Sequence, residues 1–224
     1  RGKLKKPAYL SDTNPNLMVA YEGVKSETER IIALLRAHKS QHNKDYYYTM
    51  RASKPETLAS QAARVIYLNR TCFNGLFREN SKGEFNVPMG RYKNPKICDA
   101  ANLRAVATAL QDAVLETRTF ATVFDKAEPG DFVYFDPPYH PVSKTANFTA
   151  YQKGGFGEAE QRELADVFRQ LDARGVHVLL SNSWTPLIYE LYAGFTIDEV
   201  SARRHVNSRA DKRGAVSEAL VRNF

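Results

Sequence analysis

Three groups of residues in this 224-residue sequence combine types and spacing that could do chemistry. The first is Asp136-Pro137-Pro138-Tyr139, an acid, two rigid imino acids and an aromatic ring. It comes after Phe132-Val133-Tyr134-Phe135, an apolar run of β-formers that Gly130-Asp131 opens, and the run reads as a buried strand. The prolines forbid further ladder pairing and stiffen the chain beyond them. Asp136 is thereby held at the carboxyl end of a strand, where open α/β sheets place their ligands. The plainer reading is a strand stop with a capping Asp. The second group is Asp12, just past a short extended run at Pro7-Ala8-Tyr9-Leu10. An acid there can hold ribose hydroxyls, or it can cap the helix that starts near Asn16. The third is the stretch from Arg70 to Lys93, two short extended runs around a turn at Ser81-Lys82-Gly83. Between Gln61 and Lys96 there are seven basic residues (Arg64, Arg70, Arg78, Lys82, Arg91, Lys93, Lys96) and two acidic ones (Glu79, Glu84). A basic hairpin interleaved with aromatics suits groove and phosphate contact; a solvated charged hairpin is the alternative.

The elements that must position these groups can be read from periodicity. Leu17, Ala20, Tyr21 and Val24 have helical spacing after Asn16, and a second helix covers about Glu27 to His38 with Ile31, Ile32, Leu34 and Leu35 as its apolar face. A polar segment from Lys39 to Lys44 precedes Tyr46-Tyr47-Tyr48, which is either core packing or an exposed aromatic patch. Thr57 to Asn69 reads as a helix with Leu58, Ala62, Val65, Ile66 and Leu68 inward, and Asp99 to Leu110 as another. Val114 to Phe120 is a strand and its exit. Glu158 to Ala173 is amphipathic through Leu164, Val167, Phe168 and Leu171. Val176 to Leu180 is a buried strand ending at Ser181-Asn182-Ser183, and Thr185-Pro186 starts a helix. Phe195 to Val200 and Val216 to Val221 form a closing hairpin, joined by a connection carrying Arg203, Arg204, Arg209, Lys212 and Arg213. His140 to Gly157 is a long stretch without periodicity, of the kind that is usually functional.

Composition sets the limits. Hydrophobic residues at 43% and aromatics at 11% are those of a globular chain, and a net charge of +7 favours a polyanionic partner. Cys72 and Cys98 are too few and too far apart for a disulfide framework or a metal site. No apolar run approaches the roughly 18–20 residues of a membrane span, and no signal peptide is visible. The expectation is a cytoplasmic enzyme acting as a monomer.

Asp136-Pro137-Pro138-Tyr139 resembles the active-site motif of amino-group DNA methyltransferases, which move a methyl from S-adenosylmethionine to a base amine. The chemistry accounts for the residue types. An exocyclic amine is a poor nucleophile because its lone pair is delocalised into the ring. Asp136 and the Pro137 carbonyl would accept its two N–H bonds and favour a pyramidal nitrogen, and Tyr139 would stack on the extruded base. Asp in the first position points to adenine N6, and no metal is required.

Phe73-Asn74-Gly75-Leu76, then Gly83-Glu84-Phe85-Asn86-Val87-Pro88, then Gly90-Arg91-Tyr92 look like the target-recognition hairpin of Dam-type (D12 class) DNA adenine methylases. The likeness runs from about Pro7 to Phe224. It implies a Rossmann-like α/β methyltransferase sheet, residues 1–15 and 99–224, with an inserted helical and hairpin recognition domain at 16–98 for double-stranded DNA. Asp136, Pro137, Pro138 and Tyr139 would be catalytic. Asp12, Phe120 and Asp136 would meet S-adenosylmethionine, Asp12 at the ribose and Asp136 at the methionyl end. Leu76, Arg78, Pro88, Arg91 and Tyr92 would lie near base edges or stacked bases, Phe73 would wedge beside the flipped base, and Asn80 and Lys93 would contact phosphates. The loop after Tyr139 would close over that base, the basic connection near the carboxyl end would line the cleft, and GATC is the leading target. Dam-type relatives also carry a Trp-Ala-Gly-Gly-Lys-like segment and a Phe-x-Gly-x-Gly turn ahead of the position of Pro7. Neither is in this sequence, which points to an incomplete amino-terminal part. The rival expectations are a DNA-binding module without catalysis, and a methylase of RNA or protein.

Overall fold

A computed structural model describes residues 7–142, 156–203 and 215–224, with backbone only at 202, 203, 215 and 216. The loop after Tyr139 from 143 to 155, and the basic connection from 204 to 214, lie outside the described residues. The chain packs as two compact units, one up to Thr119 and one from Phe120.

The first unit is mainly helical. Strand β1 (Tyr9–Asp12) leads into helices α1 (Pro15–Ser26), α2 (Thr28–Gln41), α3 (Lys44–Ala52) and α4 (Leu58–Thr71). Three of these helices start at a polar cap: Asn14 for α1, Asn43 for α3 and Thr57 for α4, all accepting backbone N–H bonds. Helix α4 turns Ala59, Ala62, Ala63, Tyr67 and Leu68 inward, so small residues let the neighbouring helices approach. Leu58, Val65 and Ile66, expected on that face, are only half-buried. Ile31, Ile32, Leu35, Tyr47 and Tyr67 fill the centre of this core, each large side chain contributing about 1.5–3 kcal/mol as an upper estimate.

The tyrosine run is core packing. Tyr47 is fully buried and donates its hydroxyl hydrogen to the Val87 carbonyl at 2.9 Å, while the Tyr46 hydroxyl and His38 Nδ1 lie 2.7 Å apart. The run sits on a helix, α3, so its three rings point in different directions and only the middle one reaches the centre.

Helix α5 (Ala100–Leu110), capped by Asp99, buries Leu103, Ala107 and Leu110 and leads to β2 (Val114–Thr117). Strands β1 and β2 pair in parallel, Tyr9 with Val114 through Asp12 with Thr117. The first unit also includes α5, which packs on α1 and α2.

The second unit holds a four-stranded sheet in the order β3-β4-β6-β5. These are β3 (Phe132–Phe135), β4 (His177–Ser183), β5 (Thr196–Arg203) and β6 (Ala215–Arg222), with helices α6 (Glu158–Ala173) and α7 (Pro186–Leu191). Strand β4 runs parallel to β3 and antiparallel to β6, which lies between β4 and β5 as part of the closing hairpin. Helix α6 lays Leu164, Ala165, Phe168 and Leu171 into a core shared with Val178 and Leu180.

The expectation of a fully buried Phe132–Phe135 strand is corrected. Phe132 is 59% and Tyr134 52% exposed, whereas Phe135 is buried. The run lies at one edge of this sheet, and its pleat sends alternate side chains to opposite faces.

Candidate active site

Asp136 comes directly after the last residue of β3, and the two prolines carry the chain off the sheet as expected. Its carboxylate is exposed, and Oδ1 accepts the Ser181 hydroxyl at 2.7 Å. Tyr134 Oη lies 3.0 Å from the same Ser181 Oγ. A serine hydroxyl has one proton to give. With that proton on Asp136, the tyrosine must donate to Ser181, so the relay runs Tyr134 to Ser181 to Asp136. Among the described residues nothing donates to Oδ2 of Asp136 or to the Pro137 carbonyl. Two acceptors, one ionisable and one neutral, are thus uncommitted on adjacent residues.

The rest of the segment is tied down. The Pro138 carbonyl accepts from Gln161 Nε2 at 2.9 Å, and the His140 N–H donates to Asn182 Oδ1 at 2.9 Å. His140 Nδ1 lies 3.1 Å from Thr185 Oγ1. Tyr139 is half-buried, and burial pushes its phenol up from the ordinary tyrosine value, a hydrogen bond with Ser181 partly opposing this. The ring therefore stays neutral at physiological pH.

Gln161, Ser181, Asn182 and Thr185 were not singled out from the sequence as site residues. A signal existed for two of them. Gln161 stands at helical spacing from Leu164 and Phe168, a polar residue on an apolar stripe. Asn182 continues the inward alternation of Val178 and Leu180. Strand β4 was expected to end at Leu180, but it runs on through Ser183, so these polar groups are strand residues and not a loop.

In the first unit, Asp12 is the final residue of β1 and is exposed. The choice between ribose ligand and helix cap is partly decided, because Asn14 Oδ1 caps α1 through Asn16 N and Leu17 N. Asp12 Oδ1 accepts the Asn14 N–H at 2.7 Å, which sets the direction of the carboxylate without making it the cap. Phe120 opens a short 3-10 turn, Phe120–Asp125, and its half-buried ring meets Phe156 edge-on at 5.7 Å.

The stretch from Arg70 to Lys93 does fold back on itself. Antiparallel bridges join Cys72 with Met89 and Glu79 with Phe85, and the Asn86 N–H donates to the Arg78 carbonyl at 3.0 Å. These are isolated bridges in place of the two strands expected. Asn80 builds the turn: its Oδ1 accepts the N–H groups of Lys82 and Glu84, and its Nδ2 donates to Glu84 Oε2. Arg78 is drawn onto Asn86 Oδ1 at 2.6 Å.

A second turn, Phe73-Asn74-Gly75-Leu76, closes with Leu76 N donating to Phe73 O at 3.2 Å. Asn74 and Gly75 have φ of 54° and 62°, the signs a type I′ turn requires. It presents Phe73 and Leu76 on either side of the bend, 42% and 46% exposed. At Gly90 a Cβ would lie 2.7 Å from the Cys72 carbonyl and 2.5 Å from the Tyr92 ring, so only glycine lets the segment carrying Arg91 and Tyr92 pass so close. Pro88, Arg91, Tyr92 and Lys93 are exposed, and among the described residues no partner holds the Arg91 or Lys93 head group. A concavity of about 350 Å³ lies beside this turn, lined by Arg70, Asn74, Tyr92, Asn94 and Lys96 among others.

The sequence is similar to known proteins. A family model described as D12 class N6 adenine-specific DNA methyltransferase matches residues 2–206. The chain belongs to that family. It is 40% identical over 225 residues to the type II methyltransferase M1.LlaDCHI of Lactococcus lactis subsp. cremoris, covering 97% of this chain and 79% of the relative. It is 40% identical to the type II methyltransferase M.MjaIII of Methanocaldococcus jannaschii, covering 98% and 81%. The DNA adenine methylase of Escherichia coli strain K12 is 36% identical over 216 residues, covering 95% and 77%. As a D12 class enzyme the chain is an adenine-specific DNA methyltransferase, and among the described residues no helix is long and apolar enough to cross a membrane.

Proposed function

We propose that this enzyme transfers a methyl group directly from S-adenosylmethionine to N6 of an adenine extruded from double-stranded DNA. The observation that carries the reading is the pair of acceptors, Asp136 Oδ2 and the Pro137 carbonyl, to which nothing donates among the described residues, on a segment held at Asp136 Oδ1, the Pro138 carbonyl and the His140 N–H. An adenine amine has two N–H bonds to give. Directed to two acceptors out of the ring plane, they leave the nitrogen lone pair free to attack. The cofactor supplies an electrophilic methyl on sulfonium. Attack by that lone pair would form the N–C bond as the S–C bond broke, with S-adenosylhomocysteine leaving and the amine proton passing to solvent. Tyr139, neutral and half-buried, offers its ring as a stacking surface for the base. Positioning and electrostatics supply the rate.

Asp12, exposed at a strand end and not consumed as a cap, would take ribose hydroxyls of the cofactor, and Phe120 would be a packing contact for it. Residues 16–98 would serve as the recognition domain, and 1–15 with 99–224 as the catalytic one. Within the hairpin, Phe73 and Leu76 on the type I′ turn would enter the base stack, and Arg91 would fork onto guanine O6 and N7. Tyr92, Pro88 and Arg78 would line the groove, with Lys93 and Asn80 at phosphates. Asn80 keeps one Nδ2 hydrogen for that role, the other being given to Glu84 Oε2.

GATC is the expected target, by the likeness of Leu76, Pro88, Arg91 and Tyr92 to Dam-type enzymes. The test is a methylation-sensitive digest of plasmid DNA treated with enzyme and S-adenosylmethionine, together with mass-spectrometric quantitation of N6-methyladenine. Protection of GATC sites is the expected result. Unprotected sites with rising N6-methyladenine would remove the GATC assignment alone; no N6-methyladenine, despite calorimetric binding of the cofactor, would sink the whole reading.

A further inference from the structure

Two primary amides are buried in the second unit where the surroundings are apolar. Asn182 is fully buried and Gln161 is 1% exposed, on faces otherwise made by Val178, Leu180, Leu164 and Phe168. Asn182 Nδ2 donates to Gln161 Oε1 at 3.0 Å. Gln161 Nε2 donates to the Pro138 carbonyl, and Asn182 Oδ1 accepts the N–H groups of His140 and Ser183. Donors and acceptors alternate at every link. Flipping either amide would set like groups against each other, so the network admits one arrangement.

The need for such a network lies in the prolines. Pro137 and Pro138 have no N–H, so no sheet ladder can hold the chain between Asp136 and His140. Side chains take over that task. On the opposite face of β4, Ser181 holds Asp136 Oδ1. An exposed carboxylate is free to rotate about its last bond unless one oxygen is fixed, and fixing Oδ1 determines where Oδ2 points.

Resting on the reading of Asp136 and Pro137 as the amine acceptors, we propose that Ser181, Asn182 and Gln161 form a clamp that sets the position of those acceptors. Ser181 orients the carboxylate, and the Asn182–Gln161 pair anchors the backbone on the far side of Pro137. The Pro137 carbonyl, between the two anchors, is thereby aimed without being occupied. They are positioning residues: none is assigned a contact with the base.

The test compares Ser181→Ala, Ser181→Thr, Gln161→Met and Asp136→Ala in single-turnover methyl transfer to plasmid DNA from radiolabelled S-adenosylmethionine. Each variant is also measured for duplex affinity and for circular dichroism. Gln161→Met preserves volume while removing the donor to Pro138, and the transfer rate should fall on the order of 100-fold, the effect of about an ångström of misplacement. Ser181→Ala should fall by roughly tenfold, with Ser181→Thr recovering most of the rate because it restores the hydroxyl. Duplex affinity and the folded spectrum should stay as in the unaltered enzyme.

Unchanged rates in folded Ser181→Ala and Gln161→Met, beside an inactive Asp136→Ala, would overturn the clamp and leave the reading of Asp136 intact. An active Asp136→Ala would remove both. If Gln161→Met does not fold, Ser181→Ala and its threonine rescue decide the matter. A loss of rate matched by an equal loss of duplex binding would show a general structural role and overturn the proposal.

Discussion

The Asp136 segment and the hairpin from Arg70 to Lys93 are built on opposite principles. Around Asp136, buried side chains from β4 and α6 hold Asp136 Oδ1, the Pro138 carbonyl and the His140 N–H, and among the described residues nothing donates to Asp136 Oδ2 or the Pro137 carbonyl. The hairpin has isolated bridges, exposed Phe73, Leu76, Phe77 and Tyr92, and basic side chains reaching into solvent. On the proposed reading the difference follows the task of each region: a reacting nitrogen tolerates little displacement, whereas a surface that meets DNA gains from side chains that can adjust. The hairpin is tied to its unit at the base, where the Tyr47 hydroxyl and Arg51 reach the carbonyls of Val87 and Asn86, and nearer the tip, where Asn16 Nδ2 donates to Glu79 Oε1 at 2.9 Å.

That comparison can be broken at several points. The largest expected effect is at Asp136. Asp136→Ala should lower the single-turnover rate by roughly 10³-fold or more, since catalysis here rests on positioned charge, while duplex affinity changes little. A rate close to that of the unaltered enzyme would place the chemistry elsewhere. Next is Arg91→Ala, expected to lose about 1–3 kcal/mol of discrimination at one base pair, measured as the ratio of methylation rates on cognate and single-mismatch duplexes. Equal losses on all duplexes would make Arg91 a phosphate contact.

Lys93→Ala should instead weaken binding on every duplex alike and reduce the salt slope of binding by roughly 0.9. A slope that does not change would remove Lys93 from the phosphates. Tyr47→Phe keeps the ring in the core but removes the donor to Val87, and should cost about 1 kcal/mol in denaturant unfolding. Faster hydrogen exchange near Asn86 to Pro88 would confirm that the loss falls on the hairpin base. No change in either would mean that the bond adds nothing there.

The smallest effect concerns pH. Burial holds His38 and His42 below the ordinary histidine value of 6.5. The unfolded chain then binds more protons than the folded one as pH falls. Stability of the helical unit should be full above the unfolded value and decline as pH drops below it toward the lowered folded values. Replacing His38 by Gln should flatten the profile; an unaltered pH dependence would mean that His38 does not contribute to it.

Much of this was legible in residue order alone. The helices at Asn16, Glu27, Thr57, Asp99 and Glu158 announced themselves through apolar spacing and their polar starts, and structure moved their ends by a few residues and gave the cap of the first to Asn14 in place of Asp12. The apolar runs that became β4, β5 and β6 were visible for the same reason, and so was the Asp136-Pro137-Pro138-Tyr139 corner. The tyrosine run was not decidable, because periodicity cannot tell a ring that meets a helical core from one that meets solvent. Phe132 and Tyr134 misled for a related reason: strand propensity states that a run is extended and is silent on whether both faces are covered.

Residue types and their order thus determined the chemistry that Asp136, Pro137 and Tyr139 can perform, because functional groups and the rigidity of proline are properties of the chain itself. They also determined that Arg70 to Lys93 turns back on itself, since turn residues act locally. Tertiary structure alone decided which acceptors stay uncommitted. Gln161 and Asn182 lie 21 positions apart, and Ser181 stands 45 positions from Asp136. Hydrogen bonds are directional and short, so which of these groups are consumed is set only when β4, α6 and the end of β3 come together.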